Sequence, residues 1–117
     1  MEFNYKKVLN LEKRKEEFQK IKNKYSKKIP IICEKDPRSK IEGIEKTKYL
    51  VNPEMTVSSF NEIIRKKLNI EPDQGLFLLV KGKIALTGNQ LMQEIYDNYH
   101  DEDGFLYITY ASEIVWG

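Results

Sequence analysis

The sequence predicts an α+β domain, with helices packed on one mixed β-sheet. Three long segments repeat their apolar residues at helical spacing. Four others are short apolar runs or alternate apolar with polar residues, as strands do. The two kinds of segment are interleaved along the chain, in the order helix, helix, strand, strand, helix, strand, helix, strand, once a short N-terminal helical turn is included. At 117 residues the chain is one domain long, enough to bury roughly two-thirds of the surface its unfolded form would expose.

Each element has a local reason. Phe3, Lys6 and Lys7 sit in a segment fit for one or two helical turns. From Leu11 to Tyr25 the apolar residues Leu11, Phe18, Ile21 and Tyr25 follow at spacings of seven, three and four, one stripe on an otherwise charged helix. Lys28 to Lys35 reads as a strand. Its two alternating sets both begin apolar, which predicts cover on both faces. Pro30 removes one ladder donor, tolerated near a strand's start or at an edge. Asp36-Pro37 signals a turn. A second strand, Lys46 to Val51, sets Lys48 and Leu50 against Tyr49 and Val51 and ends at Asn52-Pro53. Thr56 suits an N-cap for a helix from Val57 to Leu68, with Val57, Phe60, Ile64 and Leu68 on one face and Ile63 beside them. Leu76 to Val80 is a continuous apolar run that fits a buried strand, turned by Lys81-Gly82-Lys83 towards Ile84. Gln90 to Tyr99 is a helix by its spacing, and Phe105 to Tyr110, rich in β-branched and aromatic residues, is the last strand.

Composition limits the functions on offer. With 40% hydrophobic and 32% charged residues the chain is suited to a folded core rather than to disorder. Cys33 is the only cysteine, so an internal disulfide and a four-cysteine zinc site are both excluded, and a reducing cytosol is the simplest home. No apolar run approaches the roughly 20 residues of a membrane span, and the first residues lack the apolar core of a signal peptide. A protein of this kind that works at a membrane must be carried there. Net charge is +2, yet residues 1–30 hold ten Lys or Arg against four acids, while Gln93 onward holds six acids and no Lys or Arg. That asymmetry fits either ordinary solvated faces or a basic surface for acidic partners or anionic lipid. Cys33 and His100 are the only residues for cysteine–histidine chemistry, and nothing in the sequence puts them together. Asp101-Glu102-Asp103 lacks the ligand spacing of a calcium loop. There is no glycine-rich phosphate loop and no sign of a nucleic-acid partner, a cofactor or a metal site.

The resemblance to a known family rests on residues spread along nearly the whole chain. They are Glu12-Lys13-Arg14, Ile29-Pro30-Ile31-Ile32-Cys33-Glu34-Lys35, Lys48-Tyr49-Leu50-Val51, Ile64-Arg65-Lys66-Lys67, Asp101-Glu102-Asp103-Gly104-Phe105-Leu106-Tyr107, Tyr110 and the terminal Gly117. In this pattern and spacing the chain resembles the autophagy-related protein 8 family of ubiquitin-like modifiers, which includes GABARAP and the microtubule-associated protein light chain 3 proteins. The resemblance implies a ubiquitin-like β-grasp with two additional N-terminal helices. Residues 1–27 would form the helical extension, 28–110 the β-grasp core and 111–117 a flexible conjugation tail.

It also implies a function that is not enzymatic. The carboxylate of Gly117 would pass through thioesters on activating and conjugating enzymes to an amide with phosphatidylethanolamine. A cysteine protease would later remove the lipid. The protein would move from the cytoplasm to the autophagosome membrane and recruit cargo receptors through aromatic-x-x-aliphatic peptides, with tubulin among the further implied partners. A glycine without a side chain fits a narrow enzyme channel; by itself a terminal glycine carries no such message. One implied pocket, for the peptide's aromatic residue, maps to Glu17, Ile21, Pro30, Ile32, Lys48, Leu50 and Phe105. A second, for the aliphatic residue, maps to Tyr49, Val51, Met55, Phe60, Ile63 and Ile64. Lys28, Lys46, Lys48 and Arg65 would meet acidic residues flanking the motif. Read as residues alone, the apolar members serve equally well as core, and Lys46 and Lys48 as protection for an edge strand.

The sequence departs from the family pattern in places. Trp116 stands where Phe or Tyr is usual, and a Trp-Gly ending is typical of autophagy-related protein 12, a relative joined to a protein lysine. Ser26 and Asn52 replace prolines, one extra residue lies between Gly88 and Glu94, and no extension follows Gly117. Two other readings therefore stay open: a modifier joined to a protein lysine, and a non-covalent trafficking adaptor whose basic helices hold an acidic partner.

Overall fold

The computed structural model describes residues 3–113. The chain forms α1 (Asn4–Val8), α2 (Leu11–Lys24), β1 (Ile29–Lys35), β2 (Lys48–Val51), α3 (Val57–Leu68), β3 (Phe77–Val80), β4 (Ile84–Ala85), α4 (Met92–Tyr99) and β5 (Leu106–Ala111). One five-stranded sheet has the order β2-β1-β5-β3-β4. Its central pair, β1 and β5, is parallel, and every other pairing is antiparallel. This is the α+β, β-grasp arrangement with two helices added at the N-terminus.

The two-faced burial predicted for β1 is found: its first six residues are all buried. On one face Ile29, Ile31 and Cys33 join Leu106, Ile108 and Tyr110 of β5 beneath Val57, Phe60 and Ile64 of α3 and Met92 and Ile95 of α4. On the other, Ile32, Phe105 and Tyr107 lie under Phe3 and Tyr5 from the α1 segment and Phe18 and Ile21 of α2. The period of two along each strand sorts the residues between the two faces, so the N-terminal helices and the later helices cover opposite sides of the same sheet.

Caps and turns follow the predicted chemistry. The Thr56 hydroxyl accepts from the Ser59 amide at 3.1 Å and starts α3. Asn69 ends it in the left-handed region at φ 54°. Lys81 and Gly82, at φ 57° and 71°, make the tight turn between β3 and β4.

The boundaries differ from the sequence reading at several ends. Lys28 lies outside β1, and Lys46 outside β2, although the Cys33 amide still donates to the Thr47 carbonyl at 2.7 Å. Pro30 sits in a strand with neighbours on both sides, paired with Leu50, so its tolerance comes from its place near the strand's start. Tyr25 caps α2 and is exposed rather than completing the buried stripe. Gln90 and Leu91 precede α4, because Glu94 reaches back to accept from the Leu91 amide at 3.1 Å and fixes the start there. Leu76 is buried but outside β3, and β5 runs one residue later than predicted because Ala111 pairs with Phe77.

Candidate functional site

β2 is an edge strand: β1 lies on one side, and no described strand pairs with the other. An edge with free N–H and C=O groups is a template for another chain. The side chains of β2 alternate as predicted, Lys48 and Leu50 exposed and Tyr49 and Val51 buried.

Pairing places the residues expected to form the aromatic pocket on one face. Pro30 stands opposite Leu50, and Ile32 opposite Lys48. Against this face lie Ile21 of α2 and Phe105, whose ring meets those of Tyr5 and Phe18 edge-on at 5.3 and 5.7 Å. Glu17 is half-buried on the same helix. Leu50, at 39% exposed, is the apolar residue that this edge offers to solvent. Lys48 Nζ lies 4.8 Å from the centre of the Tyr5 ring, at the junction of β2 with α1.

The residues expected to form the aliphatic pocket lie on the opposite face. Tyr49 stacks edge-on against Phe60 at 5.6 Å, and Tyr49, Val51, Phe60 and Ile64 all belong to the main core. Phe60 and Ile64 have no exposed surface, so they back this site rather than line it. Met55 and Ile63 are half-buried at the margin of that core and are the members a ligand can reach. Burial pushes the Tyr49 phenol up to about 12, and its hydroxyl donates to the Lys46 carbonyl at 2.8 Å, which anchors the approach to β2.

The four cations expected at the rim are not equivalent. Lys46 and Lys48 are exposed, with the Lys46 ammonium 5.1 Å from the centre of the Tyr49 ring. Lys28 donates to the Asn52 side chain at 2.6 Å, just beyond the Val51 end of β2. Arg65 is turned inward on α3, donating to the Asn61 side chain at 3.2 Å and to the Gln74 carbonyl.

Sequence reasoning overlooked Arg14. It is only 8% exposed, and it joins α2 to the segment before β5. Its signal was legible, since position 14 falls on the stripe of Leu11, Phe18 and Ile21. Cys33 and His100 are not brought together. Cys33 is fully buried in the core, and burial drives its thiol well above the ordinary range. His100 is exposed at the end of α4, stacked on Tyr96 at 4.9 Å.

Gly117 and Trp116 lie outside the described residues. The last described residues are tied down: the Ser112 amide donates to Ser39 Oγ at 3.2 Å, and the Glu113 carboxylate accepts from the Ser39 hydroxyl and the Lys40 amide.

A β-grasp with two added helices and an open edge strand defines a ubiquitin-like protein. Known proteins narrow the class. Residues 13–117 match the family model described as autophagy protein Atg8, ubiquitin-like. Autophagy-related protein 8 of Neurospora crassa is 46% identical over 106 residues, covering 91% of this chain and 87% of its own. That of Aspergillus niger is 45% identical over the same share of this chain and 89% of its own. Among solved structures, the crystal structure of Trypanosoma brucei ATG8 superposes over the whole of both chains, with a TM-score of 0.91 and 33% identity. Plasmodium falciparum Atg8, solved in complex with a P. falciparum Atg3 peptide, covers 96% of this chain and 98% of its own, with a TM-score of 0.84 and 34% identity. The chain belongs to the Atg8 family of ubiquitin-like autophagy proteins.

Proposed function

We propose that this protein is a modifier joined through Gly117 to phosphatidylethanolamine on autophagosomal membranes. From there it recruits cargo receptors and other autophagy factors by binding aromatic-x-x-aliphatic peptides. The observation that carries the reading is the free edge of β2, with Leu50 outward on one face and the Met55–Ile63 margin on the other. A peptide strand added to that edge alternates in the same way, so its two anchors drop on opposite sides of β2, while backbone pairing supplies affinity. Conjugation through Gly117 draws support from the family match, which runs to residue 117. The peptide seen on the Plasmodium relative supports a docking role for the same fold. In the described residues no helix is long and apolar enough to cross a membrane, so membrane residence would come from the attached lipid, laid down by activating and conjugating enzymes and released by a cysteine protease.

The peptide reading is tested by titrating a labelled peptide bearing Trp-x-x-Leu, preceded by acidic residues, into the full chain. Micromolar binding, near −8 kcal/mol, is the expected result. Leu50→Ala removes part of the aromatic wall, and because burying such a side chain is worth roughly 1.5–3 kcal/mol, affinity falls at least tenfold while circular dichroism is unchanged. Equal binding by both proteins would place the site elsewhere.

A further inference from the structure

Beside the Lys48 end of β2 lies an open groove of about 810 Å³ that shares only Lys48 with the family-implied pockets. Its apolar lining comes from Tyr5, Val8 and Leu9 in and after α1, from Ile44, and from Tyr110 at the end of β5. The groove is held in shape. The Ile44 amide donates to the Tyr110 hydroxyl at 2.9 Å, which pins the loop before β2 against the sheet. Val8 is 78% exposed, far more than the other large apolar residues left at the surface.

The groove also has a sign. Lys7, Lys35 and Lys48 stand around it. The Lys35 ammonium donates to the Ser39 carbonyl at 2.8 Å and shares its charge with neighbouring Asp36, so three cations stand against one acid in the lining. Glu34, the one acid in the lining, is committed, accepting from the Asn4 and Tyr5 amides at 2.8 and 3.1 Å. An apolar floor ringed by cations suits an apolar side chain set among acidic residues.

Its position names the occupant. If the aromatic anchor lies against Lys48 and Leu50 and the aliphatic anchor against Met55 and Ile63, the peptide runs along β2 from Lys48 towards Val51. The residues before the aromatic then pass Thr47 and reach Ile44. A strand rises about 3.3 Å per residue, so the span from Leu50 to Thr47 is about 10 Å. We propose that this groove takes a third anchor: an apolar side chain two or four residues before the aromatic one, on the same face of the added strand, in an acidic stretch of the partner peptide. This rests on the peptide reading above and extends it by one subsite.

The test uses the full chain and a peptide series. All carry the acidic flank and Trp-x-x-Leu, and they differ in having Leu or Ala at each of the positions two to five before the Trp. Isothermal titration with the unaltered protein should show one Leu position binding about fivefold tighter than its Ala counterpart, the gain expected from partly burying one such side chain. Val8→Asn, at an exposed site, and Ile44→Asn, with folding checked by circular dichroism, should abolish that gain and leave the Ala peptides bound as before. If the Ala peptides bind but no Leu position gains, or if the gain survives both variants, the third anchor is overturned while the two-pocket reading stands. If no peptide binds, both readings fall together.

Discussion

Arg14 and Asp103, 89 positions apart in sequence, meet at 2.8 Å through Arg14 Nε and Asp103 Oδ2, and both side chains are almost wholly withdrawn from water. The second guanidinium arm donates to the Leu9 carbonyl at 2.8 Å. The same carboxylate accepts from the Tyr107 hydroxyl at 2.5 Å and from the Phe105 amide at 2.8 Å. This network fastens α2 to the start of β5, directly behind Phe105 on the face proposed to take the aromatic anchor. Arg14→Met leaves a buried carboxylate without its counter-charge, and removing one partner of a buried pair costs roughly 3–5 kcal/mol. Urea unfolding of Arg14→Met, Asp103→Asn and the double variant should show a double loss well below the sum of the singles. Strict additivity would mean that the two residues do not act as a pair.

Gly104 packs directly under the Phe18 ring of α2. It sits at φ +99°, and a Cβ there would lie 2.5 Å from the Phe18 ring. Gly104→Ala therefore meets both backbone strain and a clash, and a loss of roughly 1–3 kcal/mol is expected. Thermal unfolding should report it as a lower Tm, and peptide binding should weaken as Phe18 and Phe105 shift. An unchanged Tm would show that this junction yields easily.

Much of this architecture was legible in the residues. Periodicity located the four strands that carry the core and the three longer helices, because each turns one apolar face to the sheet with a visible period, as in Val57, Phe60 and Ile64. The alternation of Lys48 and Leu50 with Tyr49 and Val51 indicated a strand with two unlike faces. The strand order was not legible, since parallel pairing of Ile31 with Leu106 joins segments with no local signal for each other. The place of Arg14 on the apolar stripe was visible, but its pairing with Asp103 was not, because charge argues for the surface and the acceptor lies at the far end of the chain. The division between lining and backing residues was also out of reach: Phe60 and Met55 both read as apolar, and only their depth in the fold separates them.

Acid should loosen the N-terminal cover. Burial by itself would raise the Asp101 carboxyl, but the Lys6 ammonium at 2.6 Å, the Asp103 amide and the charge of Arg14 together hold it below its usual range. Asp36 is held low chiefly by its hydrogen bond from Arg38. Both carboxyls have folded values below the unfolded ones. Their contribution is thus fully present above about pH 4 and is lost as pH falls through the folded values. In an acid titration followed by circular dichroism, Lys6→Gln should move the unfolding midpoint to higher pH. An unmoved midpoint would mean that the Lys6–Asp101 pair contributes nothing.

Lys46 offers a separate test of the acidic flank. Lys46→Glu sets like charge against that flank, so affinity for the acidic Trp-x-x-Leu peptide should fall at low salt and recover in part as added salt shortens the Debye length to about 3 Å at 1 M. Fluorescence anisotropy across a salt series checks this. A loss of the same size at low and high salt would argue for a packing role at Tyr49 instead.

The central claim is attachment through the last residue. The full chain would be incubated with activating enzyme, conjugating enzyme, ATP and liposomes containing phosphatidylethanolamine, then digested and read by mass spectrometry. An amide between phosphatidylethanolamine and the carboxyl of Gly117 is the expected product, absent when Gly117 is deleted. A lipid adduct that persists after that deletion, or an adduct formed only on protein lysines, would contradict it.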